Sequence, residues 1–153
     1  MTTISKLTAE HLDTFHVDPN SQGYHEALVP FIRRTLDYPD KAHSLSVVQD
    51  GVVVAVGGVV VLWPGVSEAW IALGDTQWGK KNAKNLLVAC RDVIHRMAVA
   101  SRSRRIHCTV KVSSHVSQRF VEALGFEREG MMRFYGVDGS DCYQYVLFPE
   151  ETE

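Results

Sequence analysis

The patterning of this chain predicts an α/β fold built on a mixed sheet. Three observations carry that reading. Two valine-rich runs, Ser44 to Gln49 and Val52 to Leu62, flank Asp50-Gly51, a strong hairpin signal. Trp78 to Ser101 places Ala83, Leu86, Leu87, Cys90, Ile94 and Met97 on one helical face and polar residues on the other. Arg105 to Phe148 then runs from an alternating strand (Ile106, Cys108, Val110, Val112) into a short amphipathic helix, a charged strand and a hairpin.

The remaining elements follow in chain order. Thr3 to Leu7 reads as a first strand, and Thr8-Ala9-Glu10 opens a brief helix. Val17 to Gly23 is a loop by composition. Tyr24 to Leu36 carries Leu28, Phe31, Ile32 and Leu36 at helical spacing, with a kink or fresh start at Pro30. Gly57-Gly58 inside the second valine strand points to a bulge or a close backbone approach. Pro64-Gly65 turns the chain into a strand at Ser67 to Leu73. The basic run Ser101 to Arg105 suits the end of the long helix. Arg105 to Val112 is a strand. His115 to Leu124 is a helix with Val116, Phe120, Ala123 and Leu124 inward, and Gly125 stands where a left-handed cap belongs. Phe126 to Tyr135 and Asp141 to Phe148 pair around Val137 to Ser140. The order is β-α-α-β-β-β-α-β-α-β-β, read as a single domain over residues 1–153.

Composition narrows the function classes. A chain of 153 residues with 45% hydrophobic and 22% charged residues fits one soluble domain. A net charge of −2 gives no global field for nucleic acid or membrane. Lys80, Lys81 and Lys84 stand at one end of the long helix and Arg102, Arg104 and Arg105 at the other, so they make no single basic face. Cys90, Cys108 and Cys142 are scattered, which fits a reducing compartment, and no His/Cys/Asp set has metal spacing. No secretory signal is legible, and Val52 to Trp63 is too short and glycine-broken to span a bilayer. The expectation is a cytoplasmic protein without a metal.

Residues 43–148, with Leu124-Gly125-Phe126 ending the second helix, resemble the GNAT superfamily of acyl-CoA-dependent N-acyltransferases. The first forty residues match in outline. The Glu68-Ala69-Trp70 strand and the ending EGMMRFYGVDGSD look most like small phage- and prophage-encoded GNAT-like proteins. The resemblance implies a central twisted, mostly antiparallel sheet flanked by helices, acetyl-CoA as cosubstrate and an amine acceptor. If the protein is phage-encoded, the compartment is the bacterial host cytoplasm. Monomer and homodimer both remain open.

In that family the CoA pyrophosphate sits on the N-terminus of the long helix, at Gln/Arg-x-x-Gly-x-Gly/Ala, where backbone N–H groups and the helix dipole bind phosphate. Aligned on Leu86-Leu87, this chain offers Trp78, Gly79, Lys80, Lys81, Asn82 and Ala83. Lys81 replaces the central glycine. Either Lys80 and Lys81 contact phosphate through their side chains, or they are solvated and the site has decayed. Lysines in a first helical turn are unfavourable by up to about 1 kcal/mol, and a bound anion reverses that sign.

Acyl transfer needs an amine made neutral, a polarised thioester carbonyl and a proton for the leaving thiolate. The resemblance places the carbonyl-binding backbone donor near Ile71, Ala72 and Leu73. Glu68 is the candidate general base, with a solvated or salt-bridged residue as its alternative. Asp75 suits the loop or a helix cap. The family's asparagine position holds Ser114, which can bond the pantetheine arm or cap its helix, and Phe120 on that helix counts as cofactor-facing. The usual tyrosine donor is replaced by Val121, which leaves Tyr135 as the candidate acid or as packing. His107 is opposite in phase to Ile106 and Cys108 and faces the cleft or solvent. Two functions follow: an N-acetyltransferase with a divergent pyrophosphate loop, or a catalytically inactive GNAT-like phage protein used for virion assembly or host-protein binding.

Overall fold

The computed structural model describes residues 2–15, 30, 33–34, 36–37, 42–74 and 83–149. Seven strands form one sheet in the order β1-β2-β3-β4-β5-β7-β6. They are β1 (Thr2–Lys6), β2 (Ala42–Gln49), β3 (Val52–Trp63), β4 (Val66–Leu73), β5 (Arg105–Lys111), β6 (Glu127–Met132) and β7 (Cys142–Leu147). All neighbours are antiparallel except β4 and β5, which run parallel. The helices are α1 (Ala9–Thr14), α2 (Ala83–Ser101) and α3 (His115–Ala123). Most of the helix expected at Tyr24 to Leu36 lies outside the described residues. Pro30, Arg33 and Arg34 are helical, and Leu36 sits in a turn.

Local chemistry accounts for the element ends. Asp50 and Gly51 both have positive φ (50° and 81°), as a two-residue hairpin turn between right-twisted strands requires. Thr8 caps α1: its hydroxyl accepts from the His11 N–H, and His11 Nδ1 accepts from the Thr8 N–H. Gly57 and Gly58 lie in continuous β2–β3 pairing rather than at a bulge. A Cβ on Gly58 would overlap the His43 carbonyl oxygen and lie 2.9 Å from Ser44 Cα, so close approach is the reason for glycine.

The core has two main parts, one on each face of the sheet. Leu7, Leu12 and Phe15 pack with Val53, Val56, Trp70 and Ala72 on the α1 face. Met97 and Ala98 of α2 and Val121 of α3 pack with Val59, Ile106, Cys108, Val110, Tyr145 and Leu147 on the other. Burial pushes the Cys90 thiol of α2 up to about 11, so it is inert at neutral pH.

Three expectations need correction. In α3, Val116 is 72% exposed, and the buried residues are Gln118 and Val121. The helix is turned so that Gln118 Nε2 donates to the carbonyls of Lys111 and Val112 at the end of β5. β6 ends at Met132, short of Tyr135. Phe134 takes a left-handed φ of 58° and its N–H donates to Asp141 Oδ1, so the chain turns and Tyr135 stands in a loop. The run after α2 closes it through backbone groups. The N–H groups of Arg102 and Ser103 bond the Val99 and Ala98 carbonyls, Arg104 donates to the Pro64 carbonyl, and Arg105 is in β5.

Candidate active site

The sheet forks at its one parallel junction. β4 and β5 pair only through Val66–Arg105, Ser67–Ile106 and Glu68–His107. Beyond that point β3 holds β4 as far as Leu73, and β7 holds β5 as far as Lys111. The two strands continue without pairing to each other, which leaves a gap between Ala69–Leu73 and Cys108–Lys111.

Backbone alternation decides which groups face this gap. The Gly74 N–H donates to the Val54 carbonyl at 2.8 Å, which fixes the hydrogen-bonded rungs between β3 and β4. Counting by twos, the N–H groups of Ala72, Trp70 and Glu68 turn toward β3. Those of Leu73 and Ile71 turn toward the fork, where no strand among the described residues meets them, while that of Ala69 serves the last rung to β5. Of the three expected carbonyl-binding residues, Ile71 and Leu73 therefore present donors. Ala72 commits its donor to the sheet and buries its methyl in the α1-face core.

Side-chain alternation places the titratable groups. The paired row Val60, Glu68, His107, Val146 and Glu127 crosses β3, β4, β5, β7 and β6. Residues two apart along β4, Glu68, Trp70 and Ala72, share the α1 face, whereas Ile106, Cys108 and Val110 pack against α2 and α3. Glu68 and His107 thus stand side by side at the base of the fork, on the face away from α2 and α3. Glu68 is half-buried and has no hydrogen-bond or ion-pair partner among the described residues. Its charge is felt by its neighbours. Burial, then Glu68, pushes the Cys108 thiol up to about 12. Burial first, then the charges of Glu68 and Cys142, raises the Tyr135 phenol above its ordinary value.

The loop carrying Tyr135 is anchored at both ends. Lys111 Nζ pairs with Asp138 at 2.7 Å, and Asp138 Oδ1 accepts from the Ser140 N–H. These contacts hold the Asp138 carboxyl well below the usual carboxylate range, with the Lys111 hydrogen bond as the largest cause. The Val112 N–H bonds the Asp141 carbonyl, tying the loop to the end of β5. Tyr135 is half-exposed there and is brought within electrostatic reach of Glu68.

The other expected site residues divide. Asp75, Trp78, Gly79, Lys80, Lys81 and Asn82 lie outside the described residues, and Ala83 begins α2. Ser114 does not cap α3 through its side chain; its hydroxyl donates to Ser117 Oγ at 2.8 Å. Phe120 packs against the α2–α3 core, and Val121 is buried within it. His107 was legible only as a strand histidine facing cleft or solvent. Its pairing with Glu68 depends on the parallel register, which no local pattern encodes.

Among the described residues no cluster of three His, Cys, Asp or Glu side chains fits a metal, and no helix is long and apolar enough to cross a membrane. A seven-stranded, mostly antiparallel sheet that forks at one parallel junction, with helices on both faces, is the GNAT acetyltransferase fold, and this chain has it. Solved structures bear this out. Ard1 from Thermoplasma volcanium matches with a TM-score of 0.75 at 15% identity over 95% of this chain and 96% of its own. A variant of the spermidine N-acetyltransferase SpeG from Vibrio cholerae matches with 0.75 at 14% identity over 98% and 95%. The ribosomal-protein-S5-alanine acetyltransferase from Vibrio fischeri matches with 0.69 at 15% identity over 99% and 95%. No family model matches the sequence, and no curated protein matches it.

Proposed function

We propose that this protein is an acetyl-CoA-dependent N-acetyltransferase acting on an amine of a small molecule or protein, with a divergent pyrophosphate loop. The observation that carries this reading is the fork. It sets two backbone donors, Ile71 and Leu73, beside a carboxylate at Glu68, all three without a partner among the described residues. The thioester carbonyl accepts from a fork-facing N–H, which stabilises the developing oxyanion. Glu68 takes a proton from the acceptor amine. The amine nitrogen bonds the carbonyl carbon, the C–S bond breaks, and the thiolate leaves with its electron pair. Tyr135, with its raised pKa, still carries its proton at neutral pH and supplies it to the thiolate. Lys80 and Lys81 bind the phosphates through their side chains, with Lys81 in place of the central glycine. The free thiols at Cys90, Cys108 and Cys142 suit a reducing, cytoplasmic setting.

Thiol release from acetyl-CoA, measured with amines that include spermidine and an alanine-first peptide, tests this. Glu68→Gln is expected to lower kcat/KM by roughly 10²-fold or more while acetyl-CoA still binds. Full activity in that variant would move the base elsewhere. One observation favours a second reading, a non-catalytic phage protein of the same fold that binds a virion or host protein. Val121 stands where the family keeps its proton donor, and it is buried in the core. Absence of turnover with every amine, together with intact binding of a protein partner, would support it.

A further inference from the structure

His107 carries an unused acceptor beside the base of the fork. It is the register partner of Glu68 across the parallel junction. Its ring is half-buried, and Nδ1 is buried with no hydrogen-bond partner. A buried nitrogen left unpaired is unfavourable by about 1–3 kcal/mol, so its persistence asks for a ligand. The surrounding elements supply none. Val146 of β7 faces His107, and Val60 of β3 faces Glu68. Glu127 of β6 is beyond Val146, and Glu129 of β6, within electrostatic reach of His107, is engaged by Arg105 of β5 and Gln144 of β7.

Resting on the acetyltransfer reading, we propose that His107 is a second proton acceptor of the fork, with Nδ1 binding the acceptor amine opposite the Glu68 carboxylate. A primary ammonium sheds two protons in becoming an amide: one ends on the leaving thiolate and the other in water. The latter proton needs a route to water, and His107 gives it one separate from Glu68. The ammonium donates one N–H to His107 Nδ1 and another to Glu68. The first proton passes to Nδ1, which frees the nitrogen lone pair to form the C–N bond. The second passes to Glu68 as the C–S bond breaks. The thiolate takes the Tyr135 proton, Tyr135 recovers one from Glu68, and the remaining proton leaves from His107 to water. This assigns the neutral ring the Nε2–H tautomer.

Two variants and one spectrum test the assignment. In His107→Asn, Oδ1 replaces Nδ1 as a hydrogen-bond acceptor but takes no proton. With n-butylamine and saturating acetyl-CoA, it should keep KM and lose roughly 10²-fold in kcat, with the acidic limb of the pH profile altered. His107→Ala should also raise KM. Acetyl-CoA affinity should match that of the unaltered protein, and the thermal midpoint should not fall. In that protein, the His107 Nδ1 resonance should move on titration with n-butylamine. Turnover of His107→Ala within about twofold of the unaltered protein overturns the proposal. So does an Nδ1 resonance that stays fixed at saturating amine. An Nδ1 resonance that moves in a protein without turnover keeps the His107 contact and removes the acetyltransfer reading instead.

Discussion

Gln118 shows how one buried polar side chain sets the pose of a helix. It donates to two carbonyls at the end of β5, and its Oε1 accepts from Arg128 at 3.3 Å. Arg128 in turn lies 3.7 Å over the Tyr143 ring and bonds the Tyr145 hydroxyl. Gln118→Ala strands those carbonyls, and we expect it to lower stability by about 1–3 kcal/mol in urea denaturation. Val116→Ala, at an exposed site, should change it by less than about 0.5 kcal/mol. Apolar spacing favoured Val116 as the inward residue because spacing takes no account of acceptors held by a distant strand. Glu68 was legible as an acid out of place in a strand. Its partner was not, because 39 positions separate it from His107 (107 minus 68) and only the sheet register joins them.

Helix ends give the sharpest comparison at the scale of elements. α3 closes through Gly125 at φ 104°, with the Gly125 and Phe126 N–H groups on the Glu122 and Val121 carbonyls. Phe126 and Val121 share the core beneath, which completes the motif. α2 closes with the same pair of bonds, but Arg102 holds the left-handed position at φ 51°. Left-handed backbone disfavours any side chain with a Cβ by about 1–2 kcal/mol. Gly125→Ala should therefore lower the stability by about 1 kcal/mol, and Arg102→Gly should raise it by a few tenths to about 1 kcal/mol, the gain reduced by glycine's freer unfolded chain. Thermal or urea melts of both variants check the opposite signs. The Gly125 cap and the Asp50-Gly51 turn were legible because glycine advertises positive φ. The α2 boundary at Ser101 was legible, but its left-handed residue was not, because an arginine there reads as a charge complementing the helix dipole.

At the scale of the whole molecule, the Arg105–Glu129 pair joins β5 to β6 across β7, with Gln144 bonding the same carboxylate. These contacts lower the Glu129 pKa from 4.5 to about 2, the Arg105 hydrogen bond being the largest cause. A depressed carboxylate contributes stability above its unfolded value and loses it as the pH falls through the folded one. The urea midpoint should therefore fall between pH 4.5 and about 2, and Glu129→Gln should flatten that part of the curve. Among the described residues, the order of strands and helices along the chain followed from alternation and helical spacing. The fork did not, since it arises where two neighbours stop pairing, an event of tertiary register with no residue signature. Calorimetric titration with acetyl-CoA tests the central claim most directly. Saturable one-to-one binding with a dissociation constant between about 1 μM and 1 mM, weakened in Lys81→Glu, is the expected result. Absence of binding heat up to about 1 mM acetyl-CoA would contradict the claim that the fork is an acyl-CoA site.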